Sequence, residues 1–216
     1  MFFPVVVAVY YLLPARVKYI WLLIASYYFY MQWNPVYVFL LLTSTTVTYA
    51  GARILEKISA TGQRKLCLFV AVFINLAILG YFKYANFFMI YFNKGLTLLG
   101  RTPVPWDNDI LLPVGISFFT LQALGYLIDV YRGDIYAEHN FLKYALFISF
   151  FPQLVAGPIE RTSNLLPQMT SEKKFDYEEA SYGLKLMAWG FFKKLVLADG
   201  LAVFVDAAYR EVQEPS

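Results

Sequence analysis

The sequence predicts an all-helical protein of the multi-span membrane class, in which some helices are broken or re-entrant. Of its 216 residues, 59% are hydrophobic and only 15% are charged, a balance typical of chains that lie in lipid. Aromatic residues make up 19%, and Tyr and Trp favour bilayer interfaces. Proline and glycine interrupt the apolar runs, and non-helical backbone survives at membrane depth only where protein buries it or where it lines a wet cavity. We therefore expect a transmembrane helical bundle with an internal site.

The composition also excludes several other classes of protein and site. The net charge is only +3 and its Lys and Arg residues are spread among loops, whereas a nucleic-acid surface needs them clustered. One cysteine, Cys67, and one histidine, His139, cannot fill a zinc site. Arg16 and Lys18 follow the first apolar run instead of preceding it, which is not the pattern of a cleaved signal. We expect lipid around the protein, and neither nucleic acid nor metal bound to it.

The N-terminal half predicts four helices. Residues 2–13 are apolar but number about twelve, which is short for a membrane span. Residues 19–31 and 36–52 are the next two segments, and the latter is rich in Ser and Thr. Residues 66–92 form one apolar run that is about 40 Å long if it is fully helical, so it must tilt, kink or emerge from the bilayer.

Charge in the loops predicts the orientation of these helices. Residues 53–65 form the most basic short link, with Arg and Lys outnumbering a single Glu, and such links favour the cytoplasm. We place residues 16–18 on the same side. Residues 32–35, where Trp33 suits a headgroup position, and the loop at 93–109 are expected outside.

The C-terminal half contains the most unusual segment. Residues 142–151 predict about ten residues of helix, too few to cross a bilayer core of about 30 Å. Pro152 removes a backbone donor and pushes the preceding residue out of the α region. Gly157 and Pro158 form a second break before charge appears at Arg161. This segment follows a predicted helix at residues 110–131 and predicts a re-entrant structure beside it.

A final amphipathic helix is predicted for residues 181–206. Asp176, followed by Glu179, resembles a capping box that opens it. A helix of this kind commonly lies at an interface or on the edge of a bundle. We expect residues 1–216 to form one transmembrane domain.

Three motifs carry a resemblance to a known family. They are V-G-I-S-F-F-T-L-Q from Val114, Y-L-I-D-V-Y-R-G from Tyr126 and F-F-P-Q-L-V-A-G-P-I-E-R from Phe150. They closely resemble the membrane-bound O-acyltransferases, and in particular the alginate O-acetyltransferase branch. The resemblance implies that residues 1–216 are the N-terminal portion of a longer domain and form part of that family's fold, a ring of tilted helices around a tunnel.

The resemblance also implies an activity and its participants. An acyl group, acetyl for this branch, would pass from a cytoplasmic donor toward an extracytoplasmic polysaccharide such as alginate. The donor would be acetyl-CoA or an acylated carrier protein, with no bound cofactor. The partner would be a second, extracytoplasmic transferase, and the location the bacterial inner membrane. Family members carry their catalytic histidine in a later, C-terminal part. We therefore expect no catalytic residue in this chain, which would be inactive alone, and we interpret His139 as a solvated loop residue.

Polar side chains within the apolar segments are the candidates for lining the site. Gln122 and Gln153 each need a protein or ligand partner, because a buried amide without one costs about 1–3 kcal/mol. Asp129 and Arg132 lie three residues apart, and we favour a structural ion pair between them over a contact with substrate. Arg161 either grips a carrier phosphate or anchors its loop at the membrane surface, and we favour anchoring. The candidate set for the tunnel comprises Gln122, Pro152, Gln153, Gly157, Pro158 and Arg161.

Two other classes of function fit the residues. A transporter or channel also uses broken helices near the bilayer midplane. A structural membrane protein needs no site at all.

Overall fold

The computed structural model describes residues 1–106, 112–155, 157–158, 160–171 and 173–213, and over these residues it contains helices and no strands. The all-helical prediction is confirmed. The chain divides into two compact units, Met1–Glu172 and Lys173–Ser216. The first unit contains α1 Phe2–Leu12, α2 Ala15–Met31, α3 Tyr37–Lys57, α4 Thr61–Leu98, α5 Ile116–Arg132, α6 Phe141–Ser149, α7 Phe151–Leu154 and α8 Thr162–Thr170. Of these, α3 and α4 are long and apolar enough to cross a membrane.

Helix α4 is longer than the sequence predicts. It has 38 residues, about 57 Å at 1.5 Å per residue, and buries only Ala71 and Asn75. The predicted loop at 93–109 therefore begins later, after Leu98, and residues 107–109 of it lie outside the described residues. Asn93, within the helix, bonds both the N–H and the C=O of Val104 at 2.9 Å, so the loop folds back along α4.

The core of the first unit lies where α3, α5 and α6 meet, with α2 and α4 against it. Fully buried residues include Leu41 on α3, Phe119 on α5 and Tyr144 on α6. One pair of polar side chains in the core joins two helices: Ser44 Oγ donates to Asn75 Oδ1 at 2.5 Å. Such a bond joins α3 to α4, since neither group has access to water.

Arg64, at the start of α4, joins the ends of two other helices. Its guanidinium donates to the carbonyls of Leu55 at 2.6 Å and Ile58 at 3.2 Å, and to that of Tyr131 at 2.8 Å. These carbonyls belong to the last turns of α3 and α5 and to the link after α3, where intrahelical partners are lacking. The C-terminal end of α5 therefore lies on the same side of the unit as the basic link.

The second unit contains α9 Tyr177–Phe192, a π-helical turn Lys193–Ala198 and α10 Asp199–Gln213. Asp176 caps α9 by accepting a hydrogen bond from the Glu179 N–H at 3.0 Å, as its motif predicts. The single helix predicted for residues 181–206 is wrong in one respect, because the π-helical turn interrupts it. Lys194 and Asp199 form an ion pair across this turn.

Candidate functional site

The central feature of the site is a helix break at Phe150. Helix α6 ends at Ser149, Phe150 adopts φ −55° and ψ 111°, and the four-residue α7 begins at Phe151 with Pro152 in its first turn. The ring of Pro152 and its missing N–H are tolerated in a first turn but not in a helix interior. The predicted break is confirmed. It lies earlier than expected, since the helix ends before Phe150 and not at Phe151.

The backbone groups freed by this break bond to side chains of other helices. The N–H of Phe151 donates to Ser26 Oγ at 3.2 Å, and the same hydroxyl donates to the carbonyl of Leu22 at 2.8 Å. Gln122 Nε2 on α5 donates to the carbonyl of Phe147 at 2.8 Å. Gln122 thus has the protein partner that its burial demands. The sequence did not single out Ser26 as a partner of the break. Its one distinguishing feature there is that it is a serine inside an apolar helix.

Gln153 closes a tight turn after the break. Its side chain is 9% exposed, and Nε2 donates to the carbonyl of Pro158 at 2.6 Å. The Gly157 N–H donates to the Gln153 carbonyl at 2.9 Å, and a Cβ on Gly157 would lie 2.5 Å from Gln153 Cα. Only glycine fits there. Gln153 Oε1 is buried and has no partner among the described residues, and Ala156 and Ile159 in this turn lie outside them.

Residues 138–161 form a re-entrant hairpin against α5. At its start, the Glu138 N–H donates to the hydroxyl of Tyr126 at 2.9 Å. In its middle, at the end of α7, Leu154 lies against Gly115, the residue before α5. At its return, Glu160 and Arg161 line one cavity together with Tyr126. The segment therefore leaves and rejoins the same half of α5.

A cavity of about 230 Å³, which we call the polar cavity, lies between the hairpin's return and α5. Its lining includes Gln122, Asp129 and Arg132 from α5, and Glu160 and Arg161 from the hairpin. No ion pair joins Asp129 to Arg132, both of which are described, so that prediction is wrong. Their side chains face the cavity instead. Arg161 is exposed.

Formal charge in the polar cavity is mixed. Two guanidinium groups, Arg132 and Arg161, oppose the carboxyl groups of Asp129, Asp134 and Glu160. A site for phosphate would carry an excess of positive charge. The lining suits a neutral polar group better than a polyanion.

A second cavity, of about 330 Å³, lies on another side of the break. Helices α1, α2 and α8 line it together with Phe150, Phe151 and Pro152. Pro152 thus lies beside an apolar space, while Gln122 and Arg161 line the polar cavity. Gln153, Gly157 and Pro158 form the turn between the hairpin's two arms.

His139 lies in an exposed link. Its side chain is 67% exposed, and Nε2 lies 3.2 Å from Glu56 Oε2. Its carbonyl accepts a hydrogen bond from the Tyr49 hydroxyl at 2.6 Å. The imidazole lines neither cavity. Among the described residues, no group of His, Cys, Asp and Glu side chains is arranged to hold a metal ion.

The known proteins to which this chain is similar are named as O-acetylases or O-acetyltransferases. The chain is 38% identical over its whole length to the Pseudomonas aeruginosa protein named "Probable alginate O-acetylase AlgI", of which it covers 41%. It is 37% identical over 97% of its length to the protein of that name in Azotobacter vinelandii, of which it covers 42%. It is 33% identical over 96% of its length to "Peptidoglycan O-acetyltransferase" of Helicobacter pylori, of which it covers 44%.

The chain therefore spans about two fifths of the length of these curated relatives. No family model matches it. No solved structure matches it either. The matched region contains all three motifs, because it is the whole chain or nearly so. The predicted resemblance to the membrane-bound O-acyltransferases is confirmed: the curated relatives are O-acetyltransferases of that type, and the chain matches only their N-terminal part.

Proposed function

We propose that this chain is the N-terminal part of a membrane O-acetyltransferase that passes acetyl from a cytoplasmic donor toward an extracytoplasmic polysaccharide. One observation carries the proposal: the three motifs meet at a single polar cavity beside α5. Gln122 comes from the first motif, Asp129 and Arg132 from the second, and Glu160 and Arg161 from the third. Relatives named for alginate and for peptidoglycan support a polysaccharide acceptor.

The position of the cavity favours the donor as its occupant. Arg64 ties the C-terminal end of α5 to the basic link, which loop charge predicts to be cytoplasmic. Arg132 lies at that same end of α5, so the cavity opens on the donor's side. Because its charges are mixed, the part of acetyl-CoA that fits is the neutral arm bearing the thioester, with the phosphates remaining outside.

The chain supplies walls, not the reacting base. A passage closed to water would protect the thioester from hydrolysis until the acceptor binds. The base would be a histidine from the C-terminal part that the resemblance implies, since the His139 imidazole lines neither cavity. A second, extracytoplasmic transferase would receive the acetyl group, and the protein would lie in the inner membrane as a multi-pass chain.

Filling the polar cavity tests this function. Gly125 lines the cavity and has open space at its Cβ position, so Gly125→Leu introduces bulk without a backbone clash. Gly80 on α4 also has open space and lines neither of the two cavities, so Gly80→Leu is the matched control. In membranes that contain the full-length protein, transfer of labelled acetyl from acetyl-CoA to polysaccharide should fall at least about tenfold in Gly125→Leu at equal abundance. Equal transfer in the two variants, or no transfer by the wild type, contradicts the proposal.

A further inference from the structure

The cavity of about 330 Å³ beside the break, which we call the apolar cavity, is lined mainly by apolar side chains. They include Val7 of α1, Leu22 of α2 and Leu165 of α8. Gln168, a polar residue of the lining, donates its amide N–H groups to the carbonyl and the side-chain oxygen of Asn164, at 3.1 Å each. Ordered water needs several hydrogen-bonding partners, and this lining offers few. An apolar ligand therefore fits the space better than water does.

The apolar cavity is open at the surface of α1 and extends inward to the break. Phe3 and Tyr11, which both line it, are 41% and 38% exposed. They are eight positions apart, about 12 Å at 1.5 Å per residue, so the cavity runs along α1. The Phe3 ring lies 6.3 Å from the ring of Phe151, which places that end at the break. In a membrane, a lipid chain beside α1 has both a route into the cavity and room within it.

Positive charge lies at the other end of the apolar cavity. Lys18 Nζ is 4.8 Å from the centre of the Tyr10 ring and 5.5 Å from that of Tyr11, and both rings line the cavity. Arg16, in the same first turn of α2, is exposed. The sequences of α1 and α2 contain no acidic residue, and the described residues that line the cavity include none. This end therefore suits an anionic group joined to an apolar chain.

The depth of the charged end agrees with the position of a lipid head group. Residues 15–18 form the first turn of α2, and loop charge predicts that they face the cytoplasm. The surface of the cytoplasmic leaflet is where anionic lipids attract Lys and Arg. A head group at this turn would lie at the membrane surface, and its chain would run inward beside α1 as far as the break.

We propose that the apolar cavity binds one acyl chain of an anionic phospholipid, whose head group lies at Arg16 and Lys18. The chain packs on Phe150, Phe151 and Pro152, so the bound lipid stabilises the break. The apolar and polar cavities share no described lining residue, so this site is separate from the one proposed for the acetyl donor. The inference goes beyond the proposed function and requires only that the protein lies in a membrane.

Photo-crosslinking with lipids of known structure tests the inference. The full-length protein is placed in phosphatidylcholine nanodiscs that contain a trace of a probe lipid with a diazirine in one chain. The probe is either a phosphatidylglycerol, which is anionic, or a phosphatidylcholine with identical chains, which is zwitterionic. Labelled residues are located by mass spectrometry. Phosphatidylglycerol should label residues 3–11 and 165–169 at least about fivefold more than phosphatidylcholine, because two basic residues attract only the anionic head group.

A matched pair of double variants tests the place of the head group. Arg16→Gln combined with Lys18→Gln should lower labelling by phosphatidylglycerol to the level of phosphatidylcholine. Lys83→Gln combined with Lys94→Gln is the control and should keep the wild-type preference. Lys83 and Lys94 also lie over tyrosine rings, at 5.4 Å and 5.3 Å, but they line neither the apolar nor the polar cavity.

A second pair of variants tests the place of the chain. Val7 lines the apolar cavity, so Val7→Phe fills part of it and should lower labelling of residues 165–169 by both probes severalfold. Ala8, the next residue of α1, is exposed and does not line the cavity. Ala8→Phe adds the same ring outside the cavity and should leave the labelling unchanged.

The outcomes separate this inference from the proposed function. Equal labelling of the wild type by the two probes overturns the inference, because the cavity would then hold any lipid chain of the bilayer. Absence of labelling at residues 3–11 and 165–169 also overturns it, and indicates that another part of the full-length protein covers the cavity. A preference that persists in Arg16→Gln combined with Lys18→Gln overturns it as well. If the variants are not recovered as folded protein, the two probes on the wild type alone decide. A protein that binds the lipid but transfers no acetyl group overturns only the proposed function.

Discussion

Gly115 lies so close to the backbone carbonyl of Leu154 that no Cβ fits between them. Gly115 also has φ +74°, in the left-handed region that favours glycine. The first motif thus has a glycine at its second position because Leu154 of the hairpin packs directly on its backbone. Two segments that are 39 positions apart in the chain are held in contact by the absence of one side chain.

Gly115→Ala should destabilise the first unit by about 1–3 kcal/mol, since it adds strain at a positive φ and a clash with backbone that cannot rotate away. Thermal unfolding of the purified protein in detergent measures the effect. Gly80→Ala is the control, because it sits in α4 with open space around its Cβ position and should cost nothing. Similar melting temperatures for Gly115→Ala and the wild type would show that the hairpin does not pack here.

Ser26→Ala should cost about 1–3 kcal/mol, because it leaves the buried N–H of Phe151 without an acceptor. Ser149→Ala is a matched control. Ser149 is equally buried, but its hydroxyl donates to the carbonyl of Ala145 within its own helix, at 2.7 Å. It should cost distinctly less. The two variants are compared by melting temperature and by the amount of folded protein. An equal decrease in both variants would show that Ser26 does not stabilise the break.

The break itself was predictable, because Pro152 and Gly157 act on their own backbone. Their effects on φ and on donors are local, so the letters alone indicate where a helix cannot continue. The break lies at Phe150, one residue earlier than predicted. Proline fits the first turn of a new helix, so α7 begins at Phe151 and the non-helical residue is the one before it.

The partners of the break were not predictable. Ser26 is 125 residues from Phe151, and nothing in an apolar helix marks which hydroxyl faces a distant N–H. The expected pair of Asp129 and Arg132 failed for a related reason. Spacing on one helix allows the contact, but the hairpin opposite places Glu160 and Arg161 at the same cavity and gives both groups other surroundings.

His139→Ala in the full-length protein should change transfer less than about twofold. The imidazole is exposed, and its contact with Glu56 is a surface pair that contributes little. The 216-residue chain alone should show only background transfer, because the family's histidine is expected in a later part. Transfer is measured with labelled acetyl-CoA and polysaccharide, with abundance determined in parallel. Activity that disappears in His139→Ala would make this histidine the base.

The last prediction concerns the side of the membrane on which the ends of the helices lie. It tests the fold and its orientation in the membrane separately. Single cysteines are introduced into a Cys67→Ala background at three positions. They are Gly62→Cys in the first turn of α4, Asn34→Cys in the turn after α2 and Tyr136→Cys in the link after α5. Tyr136 is 92% exposed, and Gly62 has open space around it, so both positions are accessible to a thiol reagent. A membrane-impermeant maleimide is then applied to spheroplasts and to inverted membranes.

Positions 62 and 136 should label from the same side, because Arg64 ties the link after α3 to the end of α5 through the carbonyls of Ile58 and Tyr131. Position 34 should label from the other side, since α3 is long enough to cross the membrane between it and the link. Basic residues in the link predict that 62 and 136 face the cytoplasm and label only in inverted membranes. Labelling of both from outside would reverse the orientation and place the polar cavity on the acceptor's side. Labelling of 62 and 136 from opposite sides would contradict the contact made by Arg64, because the link after α3 and the end of α5 could not then lie together on one side of the membrane.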